Sequence, residues 1–241
     1  MRANNPIFSE MCPANTDSLA GSDTSATTIR ASMLFIATNP RVLGKLQAEI
    51  DSVVPSLKGD DIIQDDTAQT LPYLSAIVKE SMRLLPPAVD HAPRQVPPEG
   101  DEWNGMKLPG GTEIGWNTWG MMRDPEVWGG HADQFRPERW LDPNVDPEKL
   151  KDMETVGDMV FGGGRWRCLG RNIALMEIRK VIFEVCLLHL TPRTQTLRSG
   201  SQLFRRYGFE ILNPMEPWKS YCWGLFEQHD FWLKAHLRNT E

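Results

Sequence analysis

The sequence predicts a mainly α protein with small antiparallel β-sheets, on three observations. Apolar residues recur at spacings of three and four through several long stretches, the period of a helix with one buried face. Short runs between Ala92 and Trp119, and again in the C-terminal tail, are punctuated by Pro and Gly as hairpins are. No internal repeat, low-complexity tract or linker divides the chain, so residues 1–241 are read as one unit.

The elements follow in order. Residues 1–18 show no clear period. Residues 19–38 are small, polar and apolar without a Pro, and Asn39-Pro40 stops them, which predicts one helix. Leu43, Leu46, Ile50 and Val53 mark a second helix. Residues 55–70 carry Gly, Pro, Asp60, Asp61, Asp65 and Asp66 and read as a surface loop. Pro72 opens a third helix that Pro86-Pro87 ends, with Leu74, Ile77, Val78 and Leu85 as its buried stripe. Thr112-Glu113-Ile114 typifies the short strands after it. Residues 124–158 are rich in Pro, Trp and charge without a sustained period and read as an ordered meander. After residues 161–170 a long helix is expected to about Leu190, with Ile173, Ile178, Val181, Ile182, Val185 and Leu188 on its inner side. The tail alternates short strands and turns.

Composition bounds the function. Hydrophobic content of 40% and charged content of 24% are those of an ordinary soluble domain. A net charge of −6 gives no basic footprint for nucleic acid. Cys12, Cys168, Cys186 and Cys222 form no CxxC pair, which argues against zinc and for a reducing compartment. No apolar run approaches the ~20 residues that span a bilayer, and residues 1–10 lack the pattern of a signal peptide. Any membrane anchor is expected upstream of Met1.

The most informative segment is Phe161-Gly-Gly-Gly-Arg-Trp-Arg-Cys168-Leu-Gly170. Glycines let backbone approach a flat ligand closely. Cys168 lies just before a strong helix pattern, and the positive end of a helix favours the thiolate, the form that binds metal. Three readings stand on these residues alone. A phosphate-cradling loop would want a Lys-Ser/Thr or a GxGxxG after a strand, and neither is here. A buried structural cysteine is the second. A metal-ligating thiolate is the third.

The segment resembles the haem-binding signature of the cytochrome P-450 family, through Phe161, Gly162, Gly164, Cys168 and Gly170. The family's basic position, which binds a haem propionate, holds Trp166 here, with an arginine on either side. An indole N–H is also a donor for a carboxylate. Three further segments carry the resemblance. Glu80-Ser-Met-Arg83 resembles the ExxR motif, and Phe135-Arg-Pro137-Glu-Arg139-Trp140 resembles its downstream partner. By bare chemistry Glu80 and Arg83 share a helix face; by resemblance Glu80, Arg83 and Arg139 form a buried structural network. Ala20-Gly21-Ser22-Asp23-Thr24-Ser25 reads either as a helix cap or, by resemblance, as the oxygen-binding segment. On the second reading Thr24 hydrogen-bonds the iron-bound dioxygen and Asp23 feeds protons. Arg94 stands where the family has a propionate-binding arginine, and can also be read as an exposed one. His91 reads as a polar residue near the pocket wall.

The resemblance implies the C-terminal part of the cytochrome P-450 fold, with the N-terminal half absent. It implies haem b, iron protoporphyrin IX, ligated by Cys168. It also implies electrons from NADPH through NADPH-cytochrome P-450 reductase, and a location at the endoplasmic reticulum membrane for full-length relatives. The expected activity is insertion of one oxygen atom from O2 into a small organic substrate, by hydroxylation or O-demethylation. The tail, Glu216-Pro-Trp218-Lys to Gly224-Leu-Phe226-Glu-Gln228, looks like fungal members of the pisatin-demethylase type, which act in secondary metabolism. The alternatives are a haem-thiolate isomerase or dehydratase, for which the Asp23-Thr24 pair is superfluous, and a non-catalytic remnant. Apolar faces meant for the absent half are expected to make the 241-residue chain fold poorly alone.

Overall fold

The computed structural model describes residues 16–53, 62–89, 93–187 and 207–237. Helix α1, Thr16–Thr38, runs without a Pro until Asn39. Pro40 then sits at the start of α2, Pro40–Val53, where a missing N–H costs nothing. The fully buried line of α2 is Val42, Leu46 and Ile50; the expected Leu43 and Val53 are only half-buried.

The surface loop expected over 55–70 is corrected in its second half. Ile63 is completely buried, and α3, Asp65–Gln69, buries Ala68. Asp65 and Asp66 occupy its first turn, where the positive end of the helix suits them. Arg179 pins the turn by reaching Asp65 at 2.9 Å. Residues 54–61 lie outside the described residues.

Helix α4, Pro72–Leu84, is the centre of the molecule, with ten of its thirteen residues buried rather than a single stripe. Leu74, Ile77 and Val78 are among them, while Leu85 lies past the helix end and is half-buried. The Glu49 carboxylate of α2 caps α4 from outside, accepting from Tyr73 N at 2.7 Å and Leu74 N at 2.8 Å. Those are two of the orphan donors that every helix start leaves.

The short strands form two antiparallel pairs. Strand β1, Arg94–Gln95, pairs with β4, Glu113–Ile114, and between them β2, Asp101–Trp103, pairs with β3, Met106–Leu108. Asn104 and Gly105 turn the inner hairpin, both with positive φ (49° and 79°), the geometry of a two-residue type I′ turn.

The meander contains more helix than its aperiodic sequence suggested. After α5, Thr118–Met121, come α6, Pro125–Trp128, and α7, Pro147–Asp158, with a 3-10 turn at Pro137–Trp140 between those two. Helices α6 and α7 start the same way. Asp124 accepts from Glu126 N at 2.9 Å, Asp146 accepts from Glu148 N at 3.1 Å, and a Pro follows each Asp. Their length is too short or too polar for a 3.6-residue period to show, so the caps were the legible signal.

Helix α8, Arg171–Leu187, buries Ile178, Ile182 and Phe183. Ile173 (60% exposed) and Val181 (37%) do not face inward as expected. At 100° per residue Ile173 lies about 140° round the helix from Ile178. Val185 is half-buried, and Leu188 lies outside the described residues, as does the helix beyond 187.

In the tail β5, Tyr207–Ile211, pairs with β8, Leu233–Leu237, and β6, Lys219–Cys222, pairs with β7, Phe226–His229. The Thr27 hydroxyl of α1 meets Phe226 O at 3.0 Å and Gln228 Oε1 at 3.1 Å, which ties the second hairpin to α1. Gly224 and Leu225 at its tip bond to Val89 and bridge Ala88, just past α4.

One core joins α1, α2, α4 and α8 through Ile36, Leu46, Ile50, Leu74, Ile77, Ile178, Ile182 and Phe183. Each such side chain contributes ~1.5–3 kcal/mol by leaving water. A second cluster under the meander gathers Met122, Trp128, Trp140 and Met153.

Candidate functional site

Glu80 and Arg83 share the inner face of α4, one turn apart, and are 0% and 1% exposed. Arg83 grips Glu80 with two bonds of 2.9 and 2.8 Å. Its other donors reach the carbonyls of Met122 (2.7 Å), Ala132 (2.6 Å) and Gln134 (3.2 Å). All five N–H groups of the guanidinium thus have a partner. Arg139 Nε adds a third arm to Glu80 at 3.0 Å, and its remaining bonds hold the carbonyls of Trp128, His131 and Gln134. Burial pulls the Arg139 guanidinium below its ordinary pKa, and the Glu80 charge opposes that.

Two partners of Glu80 escaped the sequence reading. Trp140 donates its indole N–H at 2.9 Å, and Arg136 donates its backbone N–H at 3.0 Å. Trp140 directly follows Arg139, and an indole placed in a buried polar turn was the available signal. With every oxygen and nitrogen taken up by protein, this hub is a fastening: it holds residues 122–140 against α4 and offers no free group for chemistry.

That fastened segment leads through α7 to the cysteine loop. Cys168 N donates to Phe161 O at 2.8 Å, closing the loop on itself. Gly162 and Gly164 take φ of +74° and +61°, a region that side chains with a Cβ resist. A Cβ at Gly170 would make an ordinary contact with the sulfur, at 3.8 Å. Cys168 is exposed, as are two apolar side chains near it in sequence, Leu169 and Ile173. Asp158, the last residue of α7, pairs with Arg167 and Arg171 on either side of the cysteine.

Arg94 of β1 has its guanidinium 5.8 Å from the Trp116 ring and 5.7 Å from the Trp166 ring, with Arg165 4.9 Å from Trp166 on its own side. The structure therefore brings Arg94 and Trp166 together. Trp116 was not anticipated; nothing local marks it.

Residues 16–215 match the family model described as Cytochrome P450. The chain belongs to the cytochrome P-450 family. It is 37% identical over 221 residues to cytochrome P-450 monooxygenase ABA1 of Pyricularia oryzae, covering 91% of this chain and 39% of that protein. It is 33% identical over 204 residues to a pisatin demethylase of Fusarium vanettenii, covering 85% and 35%. It is 39% identical over 174 residues to cytochrome P-450 monooxygenase cicH of Emericella nidulans, covering 72% and 34%. The chain thus spans about two fifths of the length of the curated relatives it matches first. Among solved structures it superposes on the cytochrome P450DA heme domain with a TM-score of 0.70 at 19% identity, over 93% of this chain and 43% of that one, a likeness of fold.

Membership of the cytochrome P-450 family implies haem, and the residues present fit it. A reachable thiol, glycines that leave the loop surface low, adjoining apolar side chains, and arginines with indoles nearby suit a flat apolar disc with an iron centre and two carboxylates. Among the described residues no cluster of His, Cys, Asp or Glu suits a bare metal ion.

The Thr24 hydroxyl donates to Ala20 O at 2.8 Å within α1, and Thr24 O in turn accepts from the Thr28 hydroxyl at 3.1 Å. Asp23 is exposed beside it. Helix α1 packs along α8, which begins at the cysteine loop, but Thr24 and Cys168 sit on separate elements with no bond between them. His91 lies outside the described residues.

Proposed function

We propose that this chain is the haem-carrying part of a monooxygenase that inserts one oxygen atom from O2 into a small organic substrate, by hydroxylation or O-demethylation, in fungal secondary metabolism. The observation that carries this reading is the exposed Cys168 thiol, presented at the start of α8 by a loop that Phe161, Gly162 and Gly164 shape. Haem with a thiolate ligand supplies the electron density that favours cleavage of the O–O bond.

The chain's residues then divide the work. Cys168 supplies the sulfur, from the loop that leads into α8. Arg94 and Trp166 hold the propionates, one by charge and the other by its indole N–H. Thr24 holds a hydroxyl on α1, and Asp23, open to water, is the acid that renews its proton. Glu80, Arg83 and Arg139 keep the cysteine loop in register without touching substrate. Electrons come from NADPH through NADPH-cytochrome P-450 reductase. Among the described residues no helix is long and apolar enough to cross a membrane; placement at the endoplasmic reticulum membrane is part of this proposal and would use a segment other than α1–α8.

The relatives named as monooxygenases and as a pisatin demethylase support the reaction class. The test is Cys168→Ser in the haem-loaded protein. The reduced carbon-monoxide adduct is expected to lose the red-shifted band that thiolate ligation produces; an unchanged band removes the proposal.

A further inference from the structure

A single carboxylate bridges both flanks of the cysteine. Asp158 Oδ1 accepts from Arg171 Nε at 2.9 Å and Nη2 at 2.8 Å, and its Oδ2 pairs with Arg167. Arg167 directly precedes Cys168, and Arg171 is the first residue of α8, whose N–H lies 3.5 Å from Cys168 O. The carboxylate itself ends α7, so it joins the element before the loop to the element after it. A solitary surface ion pair contributes little. Here one anion serves two guanidinium groups, all three side chains are more than half buried (31% to 45% exposed), and the two bonds on Oδ1 fix direction as well as distance.

We propose that Asp158 is a positioning residue for Cys168, and that its charge offsets the two arginines so that they do not draw electron density from the sulfur. This inference rests on Cys168 being the iron ligand. Reduction of the ferric centre adds one electron, so uncompensated positive charge beside the sulfur favours the reduced form and raises the midpoint potential. Removing a cation has the opposite sign. A carboxylate that merely tied the loop down would change stability and haem content without producing two shifts of opposite direction.

The experiment measures the ferric/ferrous midpoint of the haem-loaded protein, wild type against Asp158→Asn, Asp158→Glu and Arg167→Gln, with the carbon-monoxide band recorded for each. Asp158→Asn is expected to raise the midpoint, Asp158→Glu to return it to the wild-type value, and Arg167→Gln to lower it, all with the thiolate band retained. A midpoint that stays put in Asp158→Asn, or that fails to fall in Arg167→Gln, overturns the proposal. Should Asp158→Asn not hold haem, the other two variants decide: the wild-type value in Asp158→Glu together with a lower one in Arg167→Gln supports it, and any other pair overturns it. A wild-type protein without the thiolate band would instead sink the ligand assignment, a distinguishable failure.

Discussion

Glu80 accepts five hydrogen bonds while fully buried, from two arginines, an indole and a backbone N–H. Taking its charge away leaves two buried guanidinium groups short of an anion. Glu80→Gln is therefore expected to cost ~3–5 kcal/mol of stability, read as a lowered midpoint in chemical denaturation. Glu138, the residue after Pro137, works nearer the surface instead: Lys45 and Tyr73 each reach it at 2.9 Å and Arg41 pairs with it as well. Burial pushes its carboxyl upward, but the bonds from Lys45 and Arg41 outweigh that and hold it at about 2, below its ordinary 4.5. A carboxyl held lower in the folded than in the unfolded state stabilises above the unfolded value, and that contribution is lost as pH falls. Stability is accordingly expected to decline between about pH 4.5 and pH 2. Glu138→Gln should be less stable at neutral pH and flatter across that window, as unfolding curves at several pH values would show. The pairing of Glu80 with Arg83 was legible as a one-turn spacing on a helix. The share taken by Trp140 was marked only by an indole next to Arg139, because nothing local names a partner 60 residues away.

Among the elements, α4 depends on a cap that it does not itself carry. Its N-cap residue, Leu71, offers no side-chain oxygen, and Glu49 of α2 supplies both bonds. Glu49→Ala is expected to cost about 1 kcal/mol, the usual worth of a cap, and to leave haem spectra unchanged. The cysteine loop depends on glycine in a different way. Gly162 sits at φ +74° and ψ −176°, a region essentially reserved for glycine, so Gly162→Ala should cost ~1–3 kcal/mol from the backbone alone and lower haem retention, measured as the ratio of haem to protein absorbance. Boundaries set by Pro were readable in advance: Pro40, Pro72 and Pro86 sit at the ends expected of them. The starts of α6 and α7 were equally written, as Asp124-Pro125-Glu126 and Asp146-Pro147-Glu148, but in stretches whose aperiodicity hid the helices between the caps.

For the molecule as a whole, exposed apolar surface is the feature with a consequence. Away from the cysteine loop, Met215 and Trp223 are at least 90% exposed and Trp232 is 65% exposed. Apolar surface on that scale favours association, so the 241-residue chain by itself is expected to associate as its concentration rises, which light scattering would detect. The fold class was legible because period and punctuation are properties of neighbouring residues: helices in four long stretches, short paired strands where Pro and Gly cluster, and a glycine-rich cysteine loop at a helix start. Family membership was legible for the same reason, since its motifs are short and local. What α8 buries, whether residues 62–69 dock or stay in water, and which carboxylate closes over Arg167 and Arg171 depended on chain packed from elsewhere. Periodicity shows that a helix has an apolar side; only the neighbours that cover it decide which residues leave water, and those neighbours meet through contacts that span up to two hundred residues of sequence.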